Sequence, residues 1–261
     1  MTNLAKMGTY LLYMKDYAKN LDFQSIYYAA KYLARKKSHS NYRVVTSSIG
    51  KFMCRPGTND FLFANYYYEW GVKKFILNYI NDFDVFIDGG ACIGEYSIHL
   101  AQKGKKCFTF EPLPPNYEAL TANIILNSLS GKITAFPFGL SKQTEMVDML
   151  FNPVNTGYSI ASPKHLKTDF SVPMKRLDEI TEIMQLEAKT KILVKLDVEG
   201  MESEALIGAE LFIKKFPNVI FIMEDKFSGM FNIKKTLNNL GDFTYGKVDA
   251  NNFYAINDLF E

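Results

Sequence analysis

The sequence predicts an α/β fold, a mostly parallel sheet with helices on both faces, closed by an antiparallel C-terminal hairpin. Three observations carry that expectation. Five apolar runs of strand length recur along the chain: "DVFI" (84–87), "KCFTF" (106–110), "ITAFPF" (133–138), "KILVKL" (191–196) and "NVIFIM" (218–223). Stretches of helical character follow several of them, "YSIHLAQKG", "NYEALTANIILNS" and "ESEALIGAELFIKK". That alternation is how parallel strands buried on both faces read in a sequence. The closing "FTYGKVDANNFYAI" reads instead as strand, polar turn and strand, which brings the sheet to seven strands.

Residues 1 to about 45 space apolar and aromatic side chains three and four apart, which predicts helix. Within them "KYLARKKSHSNYR" (31–43) carries five basic residues. It reads as a solvated helix end and loop, with a dock for an anionic substrate or membrane surface as the alternative. Residues 43–64 suggest short strands with a turn at "RPGTND" (55–60). The aromatic run "FLFANYYYEW" (61–70) is expected in the core or at a subunit interface rather than as a stacking surface for substrate. "NYYYEWGVKKFILNYI" (65–80) predicts a helix leading into the first strand. The chain thus divides into an aromatic-rich, mainly helical extension (1–64) and a main domain (65–261). Between the third and fourth strands, residues 145–178 include the Asn-, Gly- and Ser-rich "NPVNTGYSIASPKH". A loop of that length is more often functional than idle, so it is expected to be a substrate-facing flap.

Composition narrows the function classes. The chain of 261 residues is 48% hydrophobic and 22% charged, with a net charge of +2, so nothing in its charge calls for a nucleic-acid partner. Its three cysteines lack metal-ligand spacing and are odd in number, which favours a reduced, cytoplasmic setting over a disulfide framework. The N-terminal stretch is broken by Lys15 and Asp16 and does not read as a signal peptide. No run approaches the roughly 18 apolar residues of a membrane-spanning helix.

The chemistry is expected at "DVFIDGGACIGEYS" (84–97), a strand, a glycine-rich turn and a helix start. Ligands of parallel α/β sheets sit outside the carboxyl ends of the strands, at this edge. Gly90 and Gly94 would let backbone approach a ligand. The spacing is wrong for a dinucleotide: the second glycine of G-x-G-x-x-G falls on Cys92 when counted from Gly90, and on Ala91 when counted from Gly89. Asp88, just before the turn, would repel phosphate and suits a cofactor with a cationic amino acid end, such as S-adenosylmethionine. Glu111 ends the second strand 23 residues later, where a carboxylate can hold the two ribose hydroxyls.

The motifs "FIDGGACIGEYS", "FEPLPPNYEAL" and "LVKLDVEGMESEALIGA" together resemble the FkbM-type methyltransferases that use S-adenosylmethionine. The family patterns are D-x-G-A-N-x-G-x-[YF]-[ST], F-E-P-x-P-x-N-x-x-x-L and K-[ILM]-D-[VI]-E-G-x-E-x-x-x-L-x-G. Cys92 stands where the first usually has Asn. The resemblance spans roughly residues 65–225. It implies a class I methyltransferase fold and O-methylation, commonly of sugar or polyketide hydroxyls. It also implies cofactor contacts from Asp88, Gly89, Gly90, Gly94, Tyr96, Ser97, Glu111, Pro112, Asn116 and Asp197. Phe138 and Gly139, after the third strand, are expected against the adenine. "LPPNY" (113–117) superficially matches an adenine N-methyltransferase motif, but it follows the second strand and not the fourth, so that reading is set aside.

Methyl transfer needs alignment and removal of the acceptor's proton. Asp197, Glu199 and Glu224 follow the fourth and fifth strands, on the cofactor's edge; Asp197 at the strand end is the first choice for general base. The same three carboxylates could alternatively hold magnesium. Asn155, Thr156, Ser159 and His165 of the flap, with Lys195, are assigned to the acceptor. His39 and His99 are expected to be structural or solvated. An RNA or peptide acceptor is the alternative enzymatic reading, and a non-catalytic scaffold oligomerising through the N-terminal third the non-enzymatic one.

Overall fold

A computed structural model describes residues 3–35, 39–162 and 168–260. In chain order the elements are helices α1 (Asn3–Lys19) and α2 (Phe23–Arg35), strands β1 (Arg43–Ser47) and β2 (Gly50–Cys54), and helices α3 (Asp60–Phe63) and α4 (Trp70–Asn78). Then come β3 (Val85–Gly89), α5 (Glu95–Gln102), β4 (Lys106–Phe110), α6 (Pro114–Leu126) and β5 (Ile133–Phe136). They are followed by β6 (Gly139–Leu140), β7 (Glu145–Leu150), β8 (Ile160–Ala161), β9 (Phe170–Lys175) and α7 (Thr181–Met184). The last are β10 (Ile192–Leu196), α8 (Glu202–Ile207), α9 (Glu210–Lys215), β11 (Val219–Glu224), α10 (Met230–Asn238), β12 (Phe243–Lys247) and β13 (Asn252–Asn257).

Seven strands form one sheet in the order β12-β13-β11-β10-β3-β4-β5. The five expected apolar runs are its parallel members, and β13 enters antiparallel between β11 and β12. This is the class I methyltransferase arrangement. From β3 the chain builds outward through β4 and β5, then returns to β3's other edge with β10. The order therefore reverses between β3 and β10, and the crevice opens there, beyond their carboxyl ends. Every residue of β3 and β10 is buried, as central strands covered on both faces must be.

Much of the aromatic N-terminal third is core. Tyr13, Tyr17, Phe52, Phe61 and Phe63 share one buried cluster with Phe86, Leu193 and Ile220 of the sheet. No helix among the described residues is long and apolar enough to cross a membrane. His99 is buried in α5 with its ring edge-on to Tyr66, and burial pushes its proton affinity down to about 3. His39 is also buried, its Nδ1 2.7 Å from the Asn41 carbonyl oxygen. Both are structural.

Three local expectations need correction. The helix expected over 65–80 starts only at Trp70. Ahead of it, the Asn65 side chain accepts from the Tyr67 amide at 2.9 Å and Asp16 from the Tyr66 amide at 3.1 Å, and side-chain acceptors of this kind compete with helix hydrogen bonds. Residues 43–64 do form short strands, β1 and β2, joined by a turn at 48–49, and the expected turn within "RPGTND" follows β2 at Pro56 and Gly57. The helix expected over 202–215 is two short ones, α8 and α9. At their junction Gly208 packs so tightly on the Ser141 carbonyl that a Cβ there would lie 2.0 Å from its oxygen. Finally, the insertion at 145–178 is not one long loop but strands of a second sheet, ordered β6-β9-β7-β8. Met149, Val172 and Met174 form its small core against Leu113. The alternation in "FSVPMK" was the signal for it. Among the described residues, the stretch 151–159 is an irregular loop inside this frame. His165 lies outside the described residues.

Candidate active site

The glycines of the β3–α5 turn are required first by the chain itself. Gly90 has φ +85°, and a Cβ there would lie 1.9 Å from the Asp197 carbonyl oxygen at the end of β10. Gly94 has φ +87°, and its Cβ would meet Leu120 of α6 at 2.5 Å. The Gly90 and Ala91 amides both donate to the Phe110 carbonyl, at 3.0 and 3.1 Å, which draws the turn over β4. The turn is thereby pressed between β10, β4 and α6, and two cavities open over it.

The first holds about 500 Å³ of empty space, part of it open to solvent. The expected Gly90, Glu111, Pro112, Asn116, Gly139 and Asp197 line it, together with apolar Leu113, Leu140 and Met174. Glu111 is buried, and its carboxylate accepts from the Cys92 amide (2.8 Å) and the Leu113 amide (2.9 Å). Burial raises its proton affinity to about 7 against the pull of these amides. The Asn116 side chain is a further partner, and of the about four acceptor positions of a carboxylate at least one remains for a ligand.

Six of the expected cofactor and acceptor residues play other parts. Asp88 lines neither cavity. It is buried behind the turn, accepts from the Ser97 hydroxyl at 2.6 Å, and has one oxygen without a partner. Burial raises its proton affinity, opposed by Lys195, its register partner on β10. Ser97 is fully buried and tied to Asp88 and Thr109. Gly89 is a strand residue packed on Leu196, and Gly94 belongs to the helix packing just described. Tyr96 is buried and donates to Glu69 at 2.7 Å, with the Lys195 ammonium 4.8 Å from its ring centroid. Phe138 packs on Phe110 and Phe136 rather than on the cavity, which its neighbours Gly139 and Leu140 reach.

The second cavity, about 610 Å³, is polar. It shares Gly90, Cys92, Gly157, Asp197 and Glu199 with the first, so the two meet at the ends of β3 and β10. Here the structure brings the three expected carboxylates together: Asp197, Glu199 and Glu224 offer oxygens within 4.8 Å of one another. Asp197 is paired with Lys195 at 2.8 Å. Lys195 is buried rather than reaching outward, and the carboxylates of Asp197, Glu69 and Asp88 hold its proton more strongly than burial loosens it. Glu199 has φ +49° and a buried Oε2 without a hydrogen-bond partner. Burial first, then Asp197 and Glu224, raise its proton affinity to about 8; burial and Asp197 raise that of Glu224 to about 7.

The flap residues divide between the cavities. Asn155 lines the second, Thr156 and Ser159 the first. Sequence reasoning missed Glu69, Glu95, Lys226 and Tyr158, which line the second cavity with Phe63 and Tyr68 of the aromatic run. The run therefore also supplies cavity wall. No spacing signal pointed to Glu69 or Glu95, which only the tertiary fold brings to the site.

A protein-family model described as a methyltransferase FkbM domain matches residues 88–249, which runs from the end of β3 through β12 and takes in both cavities' strand-end residues. The chain belongs to the FkbM methyltransferase family. It is similar to methyltransferase sdnD of Sordaria araneosa (27% identical over 48% of this chain and 60% of that protein). It is also similar to the hexuronic acid methyltransferase AglP of Haloferax volcanii (29% identical over 54% of this chain and 56% of that protein). The chain thus spans less than two thirds of the length of these relatives. Among solved structures it is similar to methyltransferase FkbM from Methylobacillus flagellatus KT, at 19% identity and a TM-score of 0.49, covering 67% of this chain and 44% of that one.

FkbM domains take their methyl group from S-adenosylmethionine, and the residues present fit it. Glu111 keeps acceptor capacity for ribose hydroxyls, and Leu113, Leu140 and Met174 give an apolar surface in the same cavity. Asp197, which lines the same cavity, matches a cationic amino acid end.

Proposed function

We propose that this FkbM protein transfers a methyl group from S-adenosylmethionine to a hydroxyl of a sugar, glycolipid or other small hydroxylated acceptor. The observation that carries this reading is the pair of cavities sharing Asp197 and Glu199, one suited to the cofactor and one polar and rich in carboxylates. Carboxylates bind hydroxyls through paired hydrogen bonds. The ring of Tyr158, which lines the second cavity and packs on Phe227 at 5.8 Å, offers a face for a sugar ring. A polyanion would instead meet five carboxylates, from Glu69, Glu95, Asp197, Glu199 and Glu224, against two lysines, so RNA is disfavoured. The name of the AglP relative adds support for a sugar. Three buried cysteines, none in a disulfide, support a reducing compartment such as the cytoplasm.

Bound S-adenosylmethionine supplies an electrophilic methyl group on a sulfonium; the chain's task is to place the acceptor and take its proton. Asp197, fixed by Lys195, is the orienting group and not the first choice for base. Glu199 is better placed as the base: it borders both cavities, and its Oε2 is free of protein partners. Glu199 would take the proton of the acceptor hydroxyl as that oxygen replaces sulfur on the methyl carbon, the electron pair of the broken carbon–sulfur bond staying with the neutral thioether. A proton affinity near neutral pH is what general-base work requires.

Incubation with isotopically methyl-labelled S-adenosylmethionine and a panel of neutral sugars, uronic acids, RNA and peptides tests the reading. Label is expected in a sugar hydroxyl, with turnover unchanged after chelation of divalent cations. Label confined to RNA or peptide would overturn the acceptor class. Loss of turnover on chelation, restored by magnesium, would reassign the carboxylate trio to a cation.

A further inference from the structure

The 55–60 segment, upstream of the residues the family model matches, forms a buried polar bolt to the active-site loop. The Arg55 guanidinium donates twice to Asp60, at 2.8 and 2.9 Å, and its remaining nitrogen donates to the Pro115 carbonyl and the Asn116 side chain, both at 2.9 Å. Asp60 is wholly buried and also accepts from the Thr156 hydroxyl at 2.8 Å. Asn116 donates in turn to the Thr156 carbonyl at 2.9 Å. Asn59 completes the bolt. Its amide donates to the Val154 carbonyl at 2.9 Å and its side-chain nitrogen to Asn155 at 2.7 Å; its oxygen accepts from the Thr156 amide at 3.3 Å.

The residues so held belong to both cavities: Asn116 and Thr156 to the first, Asn155 and Tyr158 to the second, and Gly157 to both. The stretch 151–159 has no regular structure of its own. Its position is set by this bolt, with Gly157 against the Phe63 ring, where a Cβ would lie 3.0 Å from the ring's edge.

We propose that Arg55 and Asp60 are positioning residues that lock the 154–158 loop and Asn116 into one rigid wall, so that the cofactor and acceptor cavities are built together. The inference rests on the methyltransferase reading only for the ligand used to probe it. A bidentate, largely desolvated guanidinium–carboxylate pair suits the task, because its geometry is fixed and its charge cannot be left unpaired without cost. The pair acts through Thr156 and Asn116 and touches no reacting atom.

The test uses the full chain with Asp60→Asn, Thr156→Val and Thr156→Ser. It combines calorimetric titration with S-adenosylhomocysteine and amide hydrogen exchange at Thr156 and Tyr158. Loss of one hydrogen bond to a buried charge is worth about tenfold. Asp60→Asn and Thr156→Val are therefore expected to weaken binding and to speed exchange at both amides by about that factor, while Thr156→Ser, which keeps the hydroxyl, behaves as wild type. Unchanged exchange in folded Asp60→Asn and Thr156→Val would overturn the inference, as would Thr156→Ser failing as badly as Thr156→Val. If the wild type itself bound no S-adenosylhomocysteine, the cofactor reading would fail; the exchange data would still decide the bolt. Should Asp60→Asn not fold, Thr156→Val against Thr156→Ser carries the comparison.

Discussion

Gly90→Ala is expected to abolish measurable S-adenosylhomocysteine binding and to cost roughly 3 kcal/mol or more of stability. Two effects add. The backbone at Gly90 has φ +85°, which an alanine adopts only under strain, and the new methyl would lie 1.9 Å from the Asp197 carbonyl oxygen. That neighbour is backbone and cannot swing away as a side chain could. Relief must come by parting the β3–α5 turn from the end of β10, and those two segments form the boundary between the cavities. Chemical denaturation read beside calorimetry checks both parts. Near-wild-type stability with intact binding would show that the close approach of the two chains is not a requirement of the site.

Glu199→Gln is expected to lower kcat by roughly a hundred- to ten-thousandfold, the usual worth of a general base, while S-adenosylhomocysteine binding stays within a few-fold of wild type. The wild-type pH profile carries the same information. A base works only when ionised, and Glu199 has its proton affinity raised to about 8. The rate should therefore climb as pH rises through about 8 and fall away on the acid side. Burial comes first among the causes, followed by the carboxylates of Asp197 and Glu224, with Lys226 acting in the opposite direction and Glu202 adding a smaller repulsion. Glu224→Gln removes one negative neighbour, so it should move the profile to lower pH without abolishing turnover. A profile unmoved by Glu224→Gln, or a Glu199→Gln enzyme with near-normal kcat, would take the proton away from Glu199.

Much of this architecture was legible because the strands of a buried parallel sheet leave an unmistakable trace: "DVFI", "KILVKL" and "NVIFIM" have few other homes. Strand ends then located Glu111, Asp197, Glu199 and Glu224, since the ligand edge of such a sheet follows from topology. What the sequence did not disclose is which side of a strand-end turn each residue faces. Asp88 and Ser97 sit in the same motif as Gly90, yet they point into the protein and tie the turn down from behind. Gly94 looked like a ligand glycine and is a packing glycine, because α6 crosses where its Cβ would be. The second sheet escaped because β6 and β8 are two residues long and only β9 alternates cleanly. The Arg55–Asp60 bolt joins residues about 100 positions from the loop they hold, a distance at which no local pattern speaks.

The most direct test is calorimetric titration of the purified chain with S-adenosylhomocysteine and with NAD, repeated with Glu111→Ala. The account predicts micromolar binding of S-adenosylhomocysteine, none of NAD, and weakening by at least about a hundredfold in Glu111→Ala, which removes the acceptor for ribose hydroxyls. Binding of NAD, or folded Glu111→Ala binding S-adenosylhomocysteine as the wild type does, would contradict it.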